Sequence, residues 1–131
     1  MYLLDTSALL AHVLGEPGAD EVDRLIQTGQ SFVAAVTWLE LRVRLQGLPD
    51  SAEVIRLYEE ELGTVDVTRQ SAVAAFEIRR ETPERLPLVD SLIAGAAKAR
   101  DFELIHRDGH MAAIPAGLLR QRLLPDKPSA A

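Results

Sequence analysis

Four acidic residues sit where a soluble chain has no routine use for them: Asp5, Glu40, Asp90 and Asp108. Asp5 follows the apolar run Tyr2-Leu3-Leu4 directly, so its carboxylate falls at the end of a buried strand, although a residue in that place also suits a helix N-cap. Glu40, at 100° per residue, shares a helix face with Val36, Val43 and Gly47, where a solvated acid normally has polar company; pairing with Arg44, four residues on, is the plainer alternative. Asp90 projects with Ile93, Ala94 and Ala97 from a helix with almost no polar side. The helix dipole accounts for the sign of that charge but not for its apolar neighbours, and an unpaired buried carboxylate costs several kcal/mol. Asp108 ends Ile105-His106-Arg107-Asp108 and precedes Gly109, as a turn residue would. Carboxylates at strand ends and helix starts can converge on one pocket, which like-charge repulsion forbids unless cations are bound. Oxygen-only ligands select Mg²⁺ or Mn²⁺, and an open carboxylate cluster of this kind suits hydrolysis of a phosphodiester by activated water.

Other chemistries find no support. With no cysteine there is no thiolate metal site, cysteine nucleophile or disulfide framework, which is compatible with a reducing cytoplasm. There is no glycine-rich phosphate loop and no serine elbow, and Asp5-Thr6-Ser7 lacks the second aspartate of a phosphoaspartyl phosphatase. His106 and His110 have a zinc-like spacing only if helical, against which Gly109 and the strand-to-turn context argue, while His12 reads as a surface or packing residue. No basic region precedes an apolar segment at Met1, so neither a signal peptide nor a membrane span is expected. The net charge of −6, from 20 acids against 14 bases, argues against holding nucleic acid by bulk charge.

The elements that must position these acids follow from periodicity. The 131 residues, 47% hydrophobic, fit one domain over 1–124 followed by a disordered tail over 125–131. Strands are expected over 1–4, 31–36, 64–67 and 103–106, with a more exposed fifth over 119–124. Helices are expected over 6–14, capped by Thr6 or Ser7, over 19–27, and from a Thr37 cap to Leu48 with Trp38, Leu41, Leu45 and Leu48 on one stripe. Three more are expected: 50–62, opened by an Asp50/Glu53 capping box and stopped by Gly63; 68–81; and 88–100 after Pro87. Strands alternating with helices predict an α/β chain, a three-layer α/β/α sandwich around a mainly parallel sheet of four to five strands, with function at the carboxyl ends of the strands.

Asp5-Thr6-Ser7-Ala8, Thr37-Trp38-Leu39-Glu40-Leu41, Leu88-Val89-Asp90-Ser91-Leu92-Ile93-Ala94 and His106-Arg107-Asp108, in this order, closely resemble the PIN-domain ribonucleases. More narrowly, the chain looks like a VapC-type toxin of a toxin–antitoxin pair, from Met1 to about Leu124. The resemblance implies a PIN-like fold and a cytoplasmic, metal-dependent endoribonuclease using Mg²⁺ or Mn²⁺. It implies Asp5 and Asp90 as direct metal ligands, Glu40 as a holder of the metal or its waters, Asp108 as a ligand often reached through water, and Thr6 or Ser7 as the hydroxyl steadying the first acid. It further implies a homodimer and a cognate antitoxin, for which helices around 41–48 and 54–62 offer apolar surface. Family members often carry an acid two positions after the fourth and then an aromatic; here His110 and Met111 stand there, which bears on a second metal. RNA would be held by discrete arginines, with Arg42, Arg44, Arg79, Arg80, Arg85 and Arg107 flanking the motifs. The alternative is a catalytically silent PIN-like or receiver-like interaction module that binds a cation for structure; a metal phosphatase acting on small molecules is a third reading.

Overall fold

The computed structural model describes residues 1–128. Five strands, β1 (Tyr2–Leu4), β2 (Ser31–Ala34), β3 (Gly63–Val65), β4 (Glu103–His106) and β5 (Gln121–Leu123), form one sheet in the order β3-β2-β1-β4-β5. Every pairing is parallel, with Leu3 opposite Phe32 and Leu104, and His106 opposite Leu123. The connecting helices are α1 (Thr6–Val13), α2 (Ala19–Gln27), α3 (Ala35–Arg44), α4 (Ser51–Glu61), α5 (Arg69–Glu81), α6 (Leu88–Arg100) and the short α7 (Gly109–Ala112).

Side-chain alternation along the strands divides the interior in two. Leu4 and Ile105 enter a cluster with Leu9, Val22, Leu25, Leu41, Ile55 and Tyr58. Leu3 and Leu104 point the other way, toward Ile78, Ile93, Ala94, Ala97 and Met111. Helices therefore cover both sheet faces, and the α/β/α sandwich predicted from strand–helix alternation is the architecture observed.

Several local expectations are corrected. Asp5 itself, not Thr6 or Ser7, caps α1, its carboxylate accepting from the Ser7 amide. Helix α3 starts at Ala35, with no capping side chain. Thr37 lies inside its first turn, fully buried with its hydroxyl unpaired, because burial in the interior overrides its capping preference. That helix ends at Arg44; Leu41 and Leu45 are buried, but Leu48 is exposed beyond the left-handed Gly47 (φ 83°). Asp50 makes no capping bond, having a positive φ of 61°, and Glu53 pairs with Arg56 instead. Gly63 opens β3 opposite Phe32, where a Cβ would stand 2.3 Å from the ring, so its role is to admit that aromatic face. The fifth strand is shorter than expected, since Leu119 packs into the core outside the ladder.

Helix α6 packs against α5 more extensively than any other pair of helices meets among the described residues. A Cβ on Gly95 would lie 2.4 Å from the Ser71 carbonyl oxygen and 2.8 Å from the Ala75 nitrogen. The small residues of α6 are thus explained by backbone approach, which sets where Asp90 is held.

Candidate active site

Because all five strands run in parallel, the segments leaving them emerge at one sheet edge. Asp5 follows β1, Asp108 follows β4 through Arg107, Glu40 lies midway along α3 after β2, and Asp90 sits in the first turn of α6. All four line one open pocket of about 340 Å³, together with Thr6, Ser7, Leu10, Arg44, Arg107, Gly109 and Lys127. Among the described residues, no three His, Cys, Asp or Glu side chains stand close enough together, as placed, to hold one metal ion. The carboxylates surround a space instead.

The two hydroxyls of Thr6 and Ser7 are divided between two acids. The Ser7 hydroxyl donates to Asp5 Oδ2 at 2.6 Å and accepts the Arg107 amide at 3.1 Å, linking the segment after β1 to the segment after β4. The Thr6 hydroxyl donates to Glu40 Oε1 at 2.8 Å, tying α1 to α3. Asp108 accepts from the His110 amide at 2.7 Å as the cap of α7, and its own amide donates to His106 Nδ1 at 3.0 Å. Buried His106 engages Gln121 Oε1 through its other nitrogen at 2.7 Å, so both ring nitrogens are committed. Met111 is wholly buried in the core, whereas His110 is exposed.

Burial raises the proton affinity of three of these acids. Asp5 is raised chiefly by desolvation, against the lowering effect of its bonds from Ser7. Glu40 is raised by desolvation and by Asp5, with the Thr6 bond and Arg44 opposing. Asp90 is pushed up to about 7 by desolvation, then by the charges of Asp108 and Asp5. Oxygen-only donors, mutual repulsion and an open space between them fit a hard divalent cation, which would offset the repulsion.

Of the six arginines expected at an RNA surface, only Arg44 and Arg107 line the pocket. The Arg107 side chain is 2% exposed and held by Glu16 at 2.6 Å, with Nε and Nη1 lacking partners. Arg42 pairs with Glu59, Arg79 donates to the Leu86 carbonyl, Arg80 pairs with Glu81 and lies over Phe76, and Arg85 is exposed and outside the pocket lining. Arg79 and Arg80 are engaged by groups close to them in the chain, and Arg42 by the neighbouring helix α4. The apolar helices over 41–48 and 54–62 are likewise mostly interior: Leu41, Leu45, Ile55, Tyr58 and Leu62 are core, leaving Val43, Leu48 and Leu57 outside. Sequence reasoning missed Glu16 and Lys127, whose placement depends on contacts distant along the chain. His12 joins Tyr58 and Asp23 in a small network on the opposite side of α1, at 2.5 and 3.0 Å.

A PIN domain family model matches residues 2–117, and the chain belongs to the PIN domain family. Its fold is similar to that of VapBC2 from Rickettsia felis bound to a DNA fragment from their promoter, with a TM-score of 0.77, 17% identity, and coverage of 93% of this chain and 97% of that one. It is also similar to a toxin–antitoxin complex from Klebsiella pneumoniae, at TM-score 0.70 and 23% identity over 88% and 93% of the two chains. VapBC-5 from Mycobacterium tuberculosis, a member of the VapBC family of toxin–antitoxin systems, gives 0.70 and 20% over 92% and 96%. Comparison with curated protein sequences gives no match. Among the described residues no helix is long and apolar enough to cross a membrane.

Proposed function

We propose that this protein is a VapC-type toxin, a cytoplasmic endoribonuclease of one domain over 1–124 that depends on Mg²⁺ or Mn²⁺. The observation that carries this reading is the meeting of four carboxylates from four separate segments in one pocket. Asp5 and Asp90 would bind the cation directly, Glu40 would hold it or its waters, and Asp108 would complete the set. Bound there, the metal supplies activation of water and neutralisation of the phosphodiester charge. Ser7 fixes the rotamer of Asp5, Thr6 fixes Glu40, and the Arg107 to Ser7 bond holds the β1 and β4 ends in register. Leu10 forms an apolar part of the wall.

Attack by water with the 3′ oxygen as leaving group, as the family resemblance implies, leaves a 5′ phosphate and a 3′ hydroxyl. Incubating labelled structured RNA with Mg²⁺, with Asp5→Ala and Asp90→Ala as controls, should give those ends for the parent protein only. A 2′,3′-cyclic phosphate would overturn the water mechanism; metal binding without turnover would favour the interaction module, and turnover of a phosphomonoester alone would favour a phosphatase.

The VapBC complexes of similar fold support a cognate antitoxin as partner. The groove of about 480 Å³ lined by Val13, Ile26, Val54 and Leu57 offers its helix an apolar bed. Exposed Leu39 and Val43 on α3, and Val73 and Phe76 on α5, support a homodimer. Light scattering at micromolar concentration should report two chains, and a monomer there would remove the dimer.

A further inference from the structure

Any phosphate arriving at this pocket meets four carboxylates, so cations on the pocket wall decide whether it can stay. Three line it: Arg44, Arg107 and Lys127. Arg107 is bound to Glu16 and almost wholly buried, which leaves the exposed Arg44 and Lys127. We infer that Lys127, carried on the segment after β5, contacts the phosphate of the RNA substrate and completes with Arg44 a two-sided cationic rim around the acids. The inference rests on the ribonuclease reading of the site.

The topology requires the segment to pass here. Strand β5 runs parallel to β4, so the chain leaves it at the edge where β4 delivers Arg107 and Asp108. The Leu124 amide donates to the His106 carbonyl at 2.7 Å, extending the ladder past the strand, and the Leu124 side chain is buried. Leu124 and Pro125 press on the α1–α2 turn: a Cβ on Gly18 would lie 3.3 Å from Leu124 Cβ and from Pro125 Cδ. Three residues beyond that anchor reach about 10 Å, and prolines at 125 and 128 restrict the backbone on either side of the lysine. Arg44 and Lys127 come from opposite flanks, since α3 follows β2 on one side of β1 and the segment follows β5 on the far side of β4. Among the described residues Lys127 enters no ion pair with the acids, whereas a side chain serving to plug the pocket would be paired with them.

The test measures binding of a fluorescein-labelled single-stranded RNA of mixed sequence across a salt series, in an Asp5→Asn background that leaves the RNA intact. Lys127→Gln should weaken binding at low salt several-fold and flatten the slope of log affinity against log salt by about 0.7, while Lys127→Arg should preserve both. Calorimetric affinity for Mn²⁺, in the chain with Asp5 intact, should be the same with and without Lys127→Gln. An unchanged slope in a protein that cuts this RNA overturns the role of Lys127 and leaves the nuclease reading standing. Tighter Mn²⁺ binding by Lys127→Gln with an unchanged slope makes the lysine a competing counter-ion and also overturns it. A parent protein that cuts neither this RNA nor the labelled structured RNA in Mn²⁺ overturns the ribonuclease reading on which the inference rests.

Discussion

Each carboxylate in the pocket is burdened by the others, and Asp90 carries the clearest mark of it. Its proton affinity is raised from the ordinary 3.8 to about 7. Between those two values the folded chain holds a proton that the unfolded chain has released. The contribution of Asp90 to metal-free stability is therefore fully present below about pH 4 and is lost as the pH rises from there through 7. Asp90→Asn keeps the shape and removes the charge. In chelator it should melt above the parent at pH 8, and the difference should shrink as the pH falls from 7 and vanish only near pH 4, where Asp90 is protonated in the folded and unfolded chains alike; RNA cleavage should be abolished throughout. Melting curves at the two pH values check this. The part-buried pair of Glu16 and Arg107 behaves oppositely, because removing Glu16 strands the buried Arg107 charge, whose Nε and Nη1 already lack acceptors. Glu16→Ala should cost about 3 kcal/mol in denaturant unfolding.

Elements place the acids by means the acids do not control. Asp90 stands where it does because α6 lies against α5 with backbone almost touching backbone at Gly95. Gly95→Ala should force the helices apart, costing about 1–3 kcal/mol by thermal melt, and should lower cleavage because Asp90 is carried five residues earlier on the same rod. Helix α1 does two tasks with one residue, since Asp5 is both its N-cap and a pocket acid. Asparagine caps as well as aspartate, so Asp5→Asn should leave the helix intact while removing a negative charge from the pocket.

At the scale of the whole molecule, one sheet edge gathers like charge, and a ligand binding only the folded chain stabilises it by mass action. The melting midpoint should rise with Mg²⁺ or Mn²⁺ and return with chelator, by about 2.7 kcal/mol of stability at a hundredfold excess over the dissociation constant. Asp5→Asn, Asp90→Asn and Asp108→Asn should each blunt that rise without melting below the parent in chelator. If all three melt several degrees lower and the parent ignores Mg²⁺, the acids are structural and the nuclease reading fails.

The sequence by itself determined the layer order and the parallel sheet, because alternation of short apolar strands with amphipathic helices leaves few ways to bury both faces. It also singled out Asp5, Glu40, Asp90 and Asp108, since each breaks a local rule: an acid closing a buried strand, on an apolar face, or at a strand-to-turn junction. Tertiary structure alone decided the rest. Thr37 looks like a cap in sequence but is buried inside α3, because burial in the interior outweighs a local preference of about 1 kcal/mol. Gly63 reads as a helix stop, yet it is kept clear for a ring 31 residues earlier, at Phe32. Which hydroxyl serves which acid, which arginine is tied down by Glu16, and how Lys127 reaches the pocket all depend on segments far apart in the chain. Side-chain contacts of that kind carry no periodicity for a sequence to display; they exist only once the strands have fixed which ends lie together.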